Sequence, residues 1–185
     1  MRTLIKALLV LCGIVGVLLV VVALTSKGYR ISNAAMEPTL HCARPGAGCG
    51  AKSADHILVS RVLYRLRDPR RGDIVAFRAP TRAVACGLGG GIFVKRIIVL
   101  PGERWAERNG YIYINGKKLN EPYVKPNHRF NETRPELQIL KGEYIVLGDN
   151  RSASCDSRIW GTVPRKSLIG PVVAVYWPLS RISIR

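Results

Sequence analysis

A lysine in the middle of an apolar stretch is the residue of this sequence that points most directly to chemistry. Lys95 stands in "GIFVKRIIVLPGE", and strand alternation places it on one face with Phe93 and Ile97, with Arg96 on the other face. One of these two faces should be the buried one. Burial disfavours the charged form of an amine and lowers its pKa, and a neutral amine can act as a general base. The alternative is a lysine that lays its apolar stem along the protein and keeps its ammonium in water.

A dense polar segment, "GDNRSASCDSRIWG" (148–161), is the second candidate. Asp156 and Arg158 could form an ion pair that fixes a loop, and Ser154 could hold a neighbouring amine by a hydrogen bond. The alternative is a polar surface turn. No histidine lies in or beside either segment, so a Ser-His-Asp triad would need remote histidines and is disfavoured. The candidates for such a histidine are His41, His56 and His128.

Strands and turns must position these side chains, because β-rich runs bounded by turn residues dominate the sequence after residue 30. The runs are 56–64, 73–78, 92–100, 111–114, 143–148 and 169–177. Asn115-Gly116 lies between two strand-like runs and predicts a tight hairpin. The segments 79–91 and 124–137 are expected to be a loop and a surface excursion. The predicted fold is a mainly β, antiparallel domain.

An uncharged apolar run of 19 residues, 7–25, precedes this domain and approaches the ~20 residues that cross a bilayer. Arg2 and Lys6 lie before it, which predicts a cytoplasmic N-terminus. A cleaved signal peptide is the alternative, but its apolar region is normally only ~7–15 residues long. We therefore expect a cytoplasmic tip and retained transmembrane helix over 1–26, and an extracytoplasmic domain over 27–185.

The balance of charges is strongly basic, with a formal net charge of +17 over 185 residues. The basic residues are scattered, and no zinc-finger, helix-turn-helix or RNA-binding motif accompanies them, so nucleic acid is not an expected partner. Anionic lipid or anionic polymers of the cell envelope are the expected counterpart, and a basic surface that is merely solvated is the alternative.

Four cysteines lie outside the apolar run, in a compartment that would permit disulfides. Cys42 and Cys49 flank a turn-rich loop, so the preferred pairing is Cys42–Cys49 with Cys86–Cys155. A zinc site that combines Cys42 and Cys49 with His41 and His56 is the alternative, although its spacing matches no standard ligand pattern.

Four segments taken in order resemble the bacterial type I signal peptidases, which are membrane-anchored Ser/Lys proteases. They are "AMEPTL" (35–40), "RGDIVAF" (71–77), "FVKRIIVLPGE" (93–103) and "GDNRSASCDSRIWG" (148–161), and "INGKKLNEPYV" (114–124) is similar to the family's hairpin. With the apolar run, the resemblance covers nearly the whole chain. It implies a signal-peptidase-like domain of antiparallel sheets on one N-terminal transmembrane helix.

The resemblance also implies a role for each matching position. Lys95 falls on the general base, Ser154 on the serine that orients it, and Asp156 and Arg158 on a supporting pair. Met36 follows the nucleophile and would lie near the substrate groove. The implied substrates are exported preproteins with small residues at the first and third positions before the cut. No metal and no organic cofactor is expected.

The sequence departs from the family at the nucleophile, because Ala35 stands where the family has a serine. A methyl group cannot attack a carbonyl. Asn33 stands where many relatives have an oxyanion-donating hydroxyl, and an amide can also donate, as can backbone N–H groups near residue 35. Ala35 is either an engineered change, or a natural one in a homologue that binds signal peptides without cutting. Otherwise Ser32 or Thr39 would have to take over the attack, which is geometrically unfavourable.

Three classes of protein remain as rivals to a protease. The first is a signal-peptide-binding module with the same groove. The second is a self-cleaving Ser/Lys repressor, a soluble class with a DNA-binding domain, which the apolar run argues against. The third is a structural protein of the cell envelope, which would leave Lys95 and the segment 148–161 unexplained.

Overall fold

Residues 2–86 and 91–185 are described by the computed structural model of the chain, apart from some side chains of the first helix and that of Ala85. The helices are α1 (Arg2–Thr25), α2 (Leu63–Leu66) and α3 (Ser157–Trp160). The strands are β1 (Ser26–Arg30), β2 (His56–Ser60), β3 (Ile74–Arg78), β4 (Ile92–Val99), β5 (Arg104–Arg108), β6 (Tyr111–Ile114), β7 (Lys117–Lys118), β8 (Arg134–Gln138), β9 (Glu143–Leu147), β10 (Val163–Pro164), β11 (Leu168–Trp177) and β12 (Ser183–Ile184).

Two antiparallel sheets account for these strands, as the alternating sequence pattern predicts. The larger sheet has the order β1-β2-β11-β3-β4-β9-β10, with β12 also paired to β11. The smaller sheet has the order β7-β6-β5-β8. The mainly β, antiparallel fold class is therefore confirmed.

Both faces of β4 are buried, although the sequence required only one to be. Ile97 packs in a cluster with Phe77 and Trp160, on the side of the sheet covered by α3. Ile98 packs instead against Trp105 and other residues of the smaller sheet. The smaller sheet therefore closes the second face, and β4 becomes a core strand with its neighbours β3 and β9 on either edge.

The hairpin at Asn115-Gly116 is confirmed. Both residues have positive φ, 49° and 79°, and they connect β6 to β7. This is the left-handed region, which Gly and Asn adopt at the lowest cost, so the dipeptide fixes the register of the two strands.

Three boundaries differ from the sequence prediction. The run 56–64 ends as a strand at Ser60, because the Ser60 hydroxyl accepts a hydrogen bond from the Leu63 N–H (3.1 Å) at the start of the helical turn α2. The segment 124–137 is an excursion only at first, since β8 begins at Arg134. The segment 79–91 includes a 3₁₀ turn over Thr81–Cys86. Its residues 87–90 lie outside the described part.

The apolar run predicted to be a membrane anchor lies within α1, which ends where β1 begins. In the part of the chain that the structure describes, no helix has the combination of length and apolarity required to cross a membrane. The anchor therefore stays a prediction.

Candidate active site

Lys95 and Ser154 meet in the interior of the protein. Lys95 lies on β4 opposite Val75 of β3, and the next residue, Arg96, pairs with Leu147 at the end of β9. The loop that leaves β9 therefore begins beside Lys95 and brings Ser154 back to it. Lys95 Nζ donates a hydrogen bond to Ser154 Oγ at 2.9 Å. Lys95 is only 4% exposed, so its ammonium does not reach solvent as the alternative interpretation required.

Burial sets the protonation of this lysine. It lowers the pKa of Lys95 from 10.5 to about 8, and the Arg158 guanidinium acts in the same direction. The carboxylates of Asp156 and Asp149 oppose this effect and favour the charged form. A substantial fraction of neutral amine is therefore present at mildly alkaline pH, as a general base requires.

Asp156 and Arg158 hold the loop that carries Ser154. Arg158 Nε and Nη2 donate to the two carboxylate oxygens of Asp156 at 2.9 and 3.0 Å. Asp156 also accepts from the Gly148 N–H (3.0 Å) and caps α3 through the Arg158 N–H (3.2 Å). The Asp156 carboxylate thus links Gly148, where the loop leaves β9, to α3, where the loop ends. Burial alone would raise the pKa of Asp156, but the hydrogen bonds and charge of Arg158 hold it below its ordinary value.

Gly148 allows this loop to touch the segment of Ala35. A Cβ on Gly148 would lie 2.3 Å from Ser154 Oγ and 2.5 Å from the Ala35 carbonyl oxygen. That carbonyl accepts a hydrogen bond from the Asn150 N–H at 3.0 Å. Any larger residue at 148 would therefore separate the Ser154 loop from the position where the family has its nucleophile. In the sequence, Gly148 with Asn150 indicates only a tight turn.

Asn33 and Ala35 contact each other directly. Asn33 caps a 3₁₀ turn over Ala34–Met36, and its Oδ1 accepts from the Ala35 N–H at 3.1 Å. The two groups predicted to bind an oxyanion are thus bonded to each other here, with the Asn33 amide NH₂ not used in this bond. Ala35 is 3% exposed and Met36 is 2% exposed.

A cleft of about 490 Å³ joins these elements. Two of the predicted catalytic positions, Ala35 and Lys95, line this cleft together with Asn33 and Met36. The ends of β1 and β4 form further walls, and Ser32 lies among the lining residues. Ser154 itself lies behind the cleft, while its neighbours Ala153 and Cys155 line it.

Arg96 has a structural role that sequence reasoning missed. Its guanidinium binds Asp149 through two bonds of 2.8 and 2.6 Å, and Thr39 Oγ1 donates to the same carboxylate at 2.5 Å. Asp149 is fully buried. The signal was present, because alternation puts Arg96 on the face opposite Lys95, where a second buried charge needs a partner.

Both preferred disulfides are present. Cys42–Cys49 closes the short loop after the 3₁₀ turn, and Cys86–Cys155 joins residues 69 positions apart. Cys155 directly follows Ser154, so the second bridge ties the Ser154 loop to the turn before residue 87.

The zinc alternative is wrong, because the sulfurs of Cys42 and Cys49 are bonded to each other. The described residues contain no group of three or more His, Cys, Asp or Glu side chains arranged to hold a metal ion. His41 pairs with Glu37 at 2.5 Å, and His56 packs edge-on against Tyr176.

The amino-acid sequence matches one family model and several known proteins. The family described as "Signal peptidase, peptidase S26" matches residues 1–177. A probable signal peptidase I-2 from Synechocystis sp. is 37% identical over 159 residues, which cover 86% of this chain and 66% of the relative. The signal peptidase I of Leptolyngbya laminosa is 39% identical over 132 residues, 69% of this chain and 63% of the relative. The chain thus spans slightly less than two thirds of these two proteins.

Two further matches extend the comparison. The signal peptidase I of Bacillus caldolyticus is 31% identical over 171 residues, which cover 86% of this chain and 84% of the relative. The solved structure of a signal peptidase I from Enterococcus faecalis is 34% identical and has a TM-score of 0.47, with 57% of this chain and 97% of that chain covered.

Proposed function

Since the chain belongs to the signal peptidase family, peptidase S26, we propose that its active form is a serine endopeptidase of the signal peptidase I type that cleaves signal peptides from exported preproteins. The observation that carries this proposal is the buried hydrogen bond between Lys95 Nζ and Ser154 Oγ, 2.9 Å long, behind a cleft that Ala35 also lines. A lysine with a lowered pKa beside such a cleft is suited to removing a proton from a hydroxyl.

The reaction needs a serine at position 35. Neutral Lys95 takes the hydroxyl proton while the oxygen attacks the scissile carbonyl carbon, and a tetrahedral oxyanion forms. The resulting ammonium returns the proton to the leaving amine as the peptide bond breaks, which leaves an acyl-enzyme. Lys95 then deprotonates a water that attacks the ester, and the serine leaves with the proton. Ser154 keeps the amine in line through both steps by its hydrogen bond.

Asn33 and the backbone N–H of residue 35 are the proposed oxyanion donors. Because Asn33 Oδ1 now accepts from that N–H at 3.1 Å, a substrate oxyanion would compete for the same donor. The Asn33 NH₂ would supply the second hydrogen bond. Asn33 therefore serves first to shape the 3₁₀ turn and then to donate to the substrate.

The cleft supports a preference for small side chains near the cut. Its lining includes the apolar side chains of Ile31, Met36 and Val94, which would form the walls of shallow apolar subsites. An extended peptide would lie between the end of β1 and the start of β4. Small residues at the first and third positions before the cut suit such subsites, because alternate side chains of an extended peptide point the same way.

Ala35 makes this chain an inactivated form. A rescuing hydroxyl at Thr39 is disfavoured, because that hydroxyl donates to Asp149 at 2.5 Å. Ser32 lines the cleft, but it lies three positions before the attacking residue. Whether the alanine is engineered or natural, the groove and the Lys95–Ser154 pair remain in place. A natural homologue that binds signal peptides without cutting them is therefore the second candidate function.

The proposed setting is a cell membrane. The uncharged run 7–25, with Arg2 and Lys6 before it, supports a single-pass anchor over 1–26 with its N-terminus in the cytoplasm. The domain 27–185 would then work outside the cytoplasm, where its two disulfides are stable. The lipid bilayer is the second proposed partner after the preproteins.

Cleavage of a preprotein in detergent tests the proposal, with this chain compared to its Ala35→Ser variant. We expect only the variant to cut, and we expect Lys95→Met in the Ala35→Ser background to abolish cutting. If the unchanged chain cuts equally well, the nucleophile is not at position 35. If neither chain cuts but both bind a signal peptide, the non-cleaving module is the correct function.

A further inference from the structure

Glu107 is a buried carboxylate that the reaction as described does not use. It lies on β5 of the smaller sheet, opposite Ile112 on β6 and Arg134 on β8. Its side chain is 0% exposed. Within the described part of the chain, neither of its carboxylate oxygens has a hydrogen-bond partner. A buried carboxylate of this kind is costly unless neighbouring charges compensate it.

Its neighbours are the guanidinium groups of two arginines. Arg134 Nε lies 3.3 Å from Glu107 Oε2, and Arg158 Nη1 lies 4.0 Å from Oε1. The charge of Arg151 also favours the carboxylate form, whereas that of Glu132 opposes it. Burial nevertheless raises the pKa of Glu107 above its ordinary value. The charges of the neighbouring arginines, rather than hydrogen bonds, therefore stabilise the Glu107 carboxylate.

Arg158 joins Glu107 to the candidate active site. Its Nε and Nη2 face the Ser154 loop, where they bind Asp156, and Nη2 also donates to the Arg151 and Ser154 carbonyl oxygens at 2.7 and 3.3 Å. Its Nη1 points the other way, toward Glu107. The Arg158 guanidinium therefore contacts the Ser154 loop through Nε and Nη2, and it faces the smaller sheet through Nη1.

We propose that Glu107 is a positioning residue for the peptidase reaction: it holds Arg158 from the smaller sheet and balances part of the Arg158 charge that acts on Lys95. The role of Glu107 in catalysis rests on the proposed function. Its effect on the pKa of Lys95 does not, because that effect can be measured in the folded chain without any reaction. The groups that act on Lys95 are Asp156, Asp149 and Arg158. Asp156 pairs with Arg158 from the side of the Ser154 loop, and Glu107 is the carboxylate that faces its remaining nitrogen, Nη1, from the smaller sheet.

The direction of the effect follows from the signs of the charges. Arg158 favours the neutral amine of Lys95. Glu107 carries the opposite charge to the Arg158 guanidinium that it faces, so removal of this charge should let the pKa of Lys95 fall further. One charge acting across an effective dielectric constant of ~20 moves a pKa by a few tenths of a unit to about one unit.

The test is a direct titration of Lys95 in the full chain, with its present Ala35, in detergent micelles. Lysine labelled with ¹³C at Cε is followed by NMR between pH 6 and 11, and the Lys95 signal is assigned by its loss in Lys95→Met. Glu107→Gln removes the charge at constant shape, and Glu107→Asp keeps the charge. Glu132→Gln is the matched control, because Glu132 also pairs with Arg134 but its side chain is 33% exposed.

We expect a lower pKa of Lys95 in Glu107→Gln, a value near the parent's in Glu107→Asp, and no change in Glu132→Gln. In the Ala35→Ser background the acid limb of the pH–kcat/KM profile should move to lower pH by the same amount.

An unchanged or raised pKa of Lys95 in Glu107→Gln overturns the inference, even if that variant is less stable. If Glu107→Gln does not fold, Arg134→Gln leaves the Glu107 charge less compensated on its other side; a raised Lys95 pKa in that variant supports the inference, and an unchanged or lowered one overturns it. A pKa shift without cleavage by any variant refutes the proposed function and leaves the positioning role intact.

Discussion

Replacement of Lys95 by methionine should stabilise the protein at neutral pH. Burial lowers the pKa of Lys95 from 10.5 to about 8, and at ~1.4 kcal/mol per pKa unit the folded state bears a cost of roughly 3 kcal/mol while the amine is charged. Methionine fills similar space without a charge. It also leaves the Ser154 hydroxyl without its amine partner, which costs about 1 kcal/mol. We therefore expect a net gain of about 2 kcal/mol in the free energy of unfolding at pH 7.

The pH dependence of this gain identifies its cause. Below about pH 8 Lys95 is charged in both the folded and the unfolded chain, so the parent bears the whole cost. Between about pH 8 and 10.5 the folded chain loses its proton first, and the parent gains stability with rising pH. Above 10.5 both states are neutral. The advantage of Lys95→Met should therefore be full at pH 7 and lost by pH 10.5.

Urea unfolding in detergent measures this, with the fluorescence of Trp105 and Trp160, which are buried, as the signal. Lys141→Met is the matched control, because Lys141 lies exposed in a turn and its replacement should change little at either pH. A gain in Lys95→Met that is equal at pH 7 and pH 10.5, or a loss at pH 7, would refute the argument that desolvation sets the pKa of Lys95.

Three further variants test the construction of the site. Ser154→Ala in the Ala35→Ser background should lower kcat by about 10²-fold or more with little change in KM, because Lys95 loses the hydroxyl that orients it; a change confined to KM would contradict this. Gly148→Ala should destabilise the fold by about 1–3 kcal/mol, since its Cβ would meet Ser154 Oγ at 2.3 Å, and an unchanged urea midpoint would show that the loop relaxes freely. The double variant Cys86→Ser/Cys155→Ser should lose about 4 kcal/mol in the chain-entropy model of a long closed loop, and intact mass with and without reductant checks that the parent contains the bridge.

Local patterns in the sequence were sufficient to predict the mainly β, antiparallel fold class. The strands β3, β4, β6, β9 and β11 follow runs of β-branched and aromatic residues, and Asn115-Gly116 specifies its hairpin through the conformations those two residues allow. Strands β1, β5 and β8 escaped prediction because they are rich in charged residues. Their pairing comes from neighbours distant in sequence, which no local pattern encodes.

The buried side of the smaller sheet shows the same limit at the level of the site. Nothing in "RWAER" indicates that Glu107 is fully buried, because a glutamate next to an arginine in a charged strand is usually solvated. It becomes buried only when the smaller sheet brings β5 close to Arg158 of α3. Similarly, Gly148 is an ordinary turn glycine in the sequence, and only the approach of the Ala35 backbone makes its missing side chain necessary.

By itself the sequence determined the parts that depend on residue type: a lysine with apolar neighbours, a polar loop able to hold it, four cysteines that can pair, and an alanine that cannot attack. The tertiary structure decided what depends on distance. It placed Lys95 Nζ 2.9 Å from Ser154 Oγ, although the two residues are 59 positions apart. It also placed Asn33 Oδ1 where it accepts a hydrogen bond from the Ala35 N–H, the group with which Asn33 was expected to bind an oxyanion. The reason is physical, since a side chain's chemistry is fixed by its covalent structure, whereas its pKa and its partners are fixed by the packing that removes water around it.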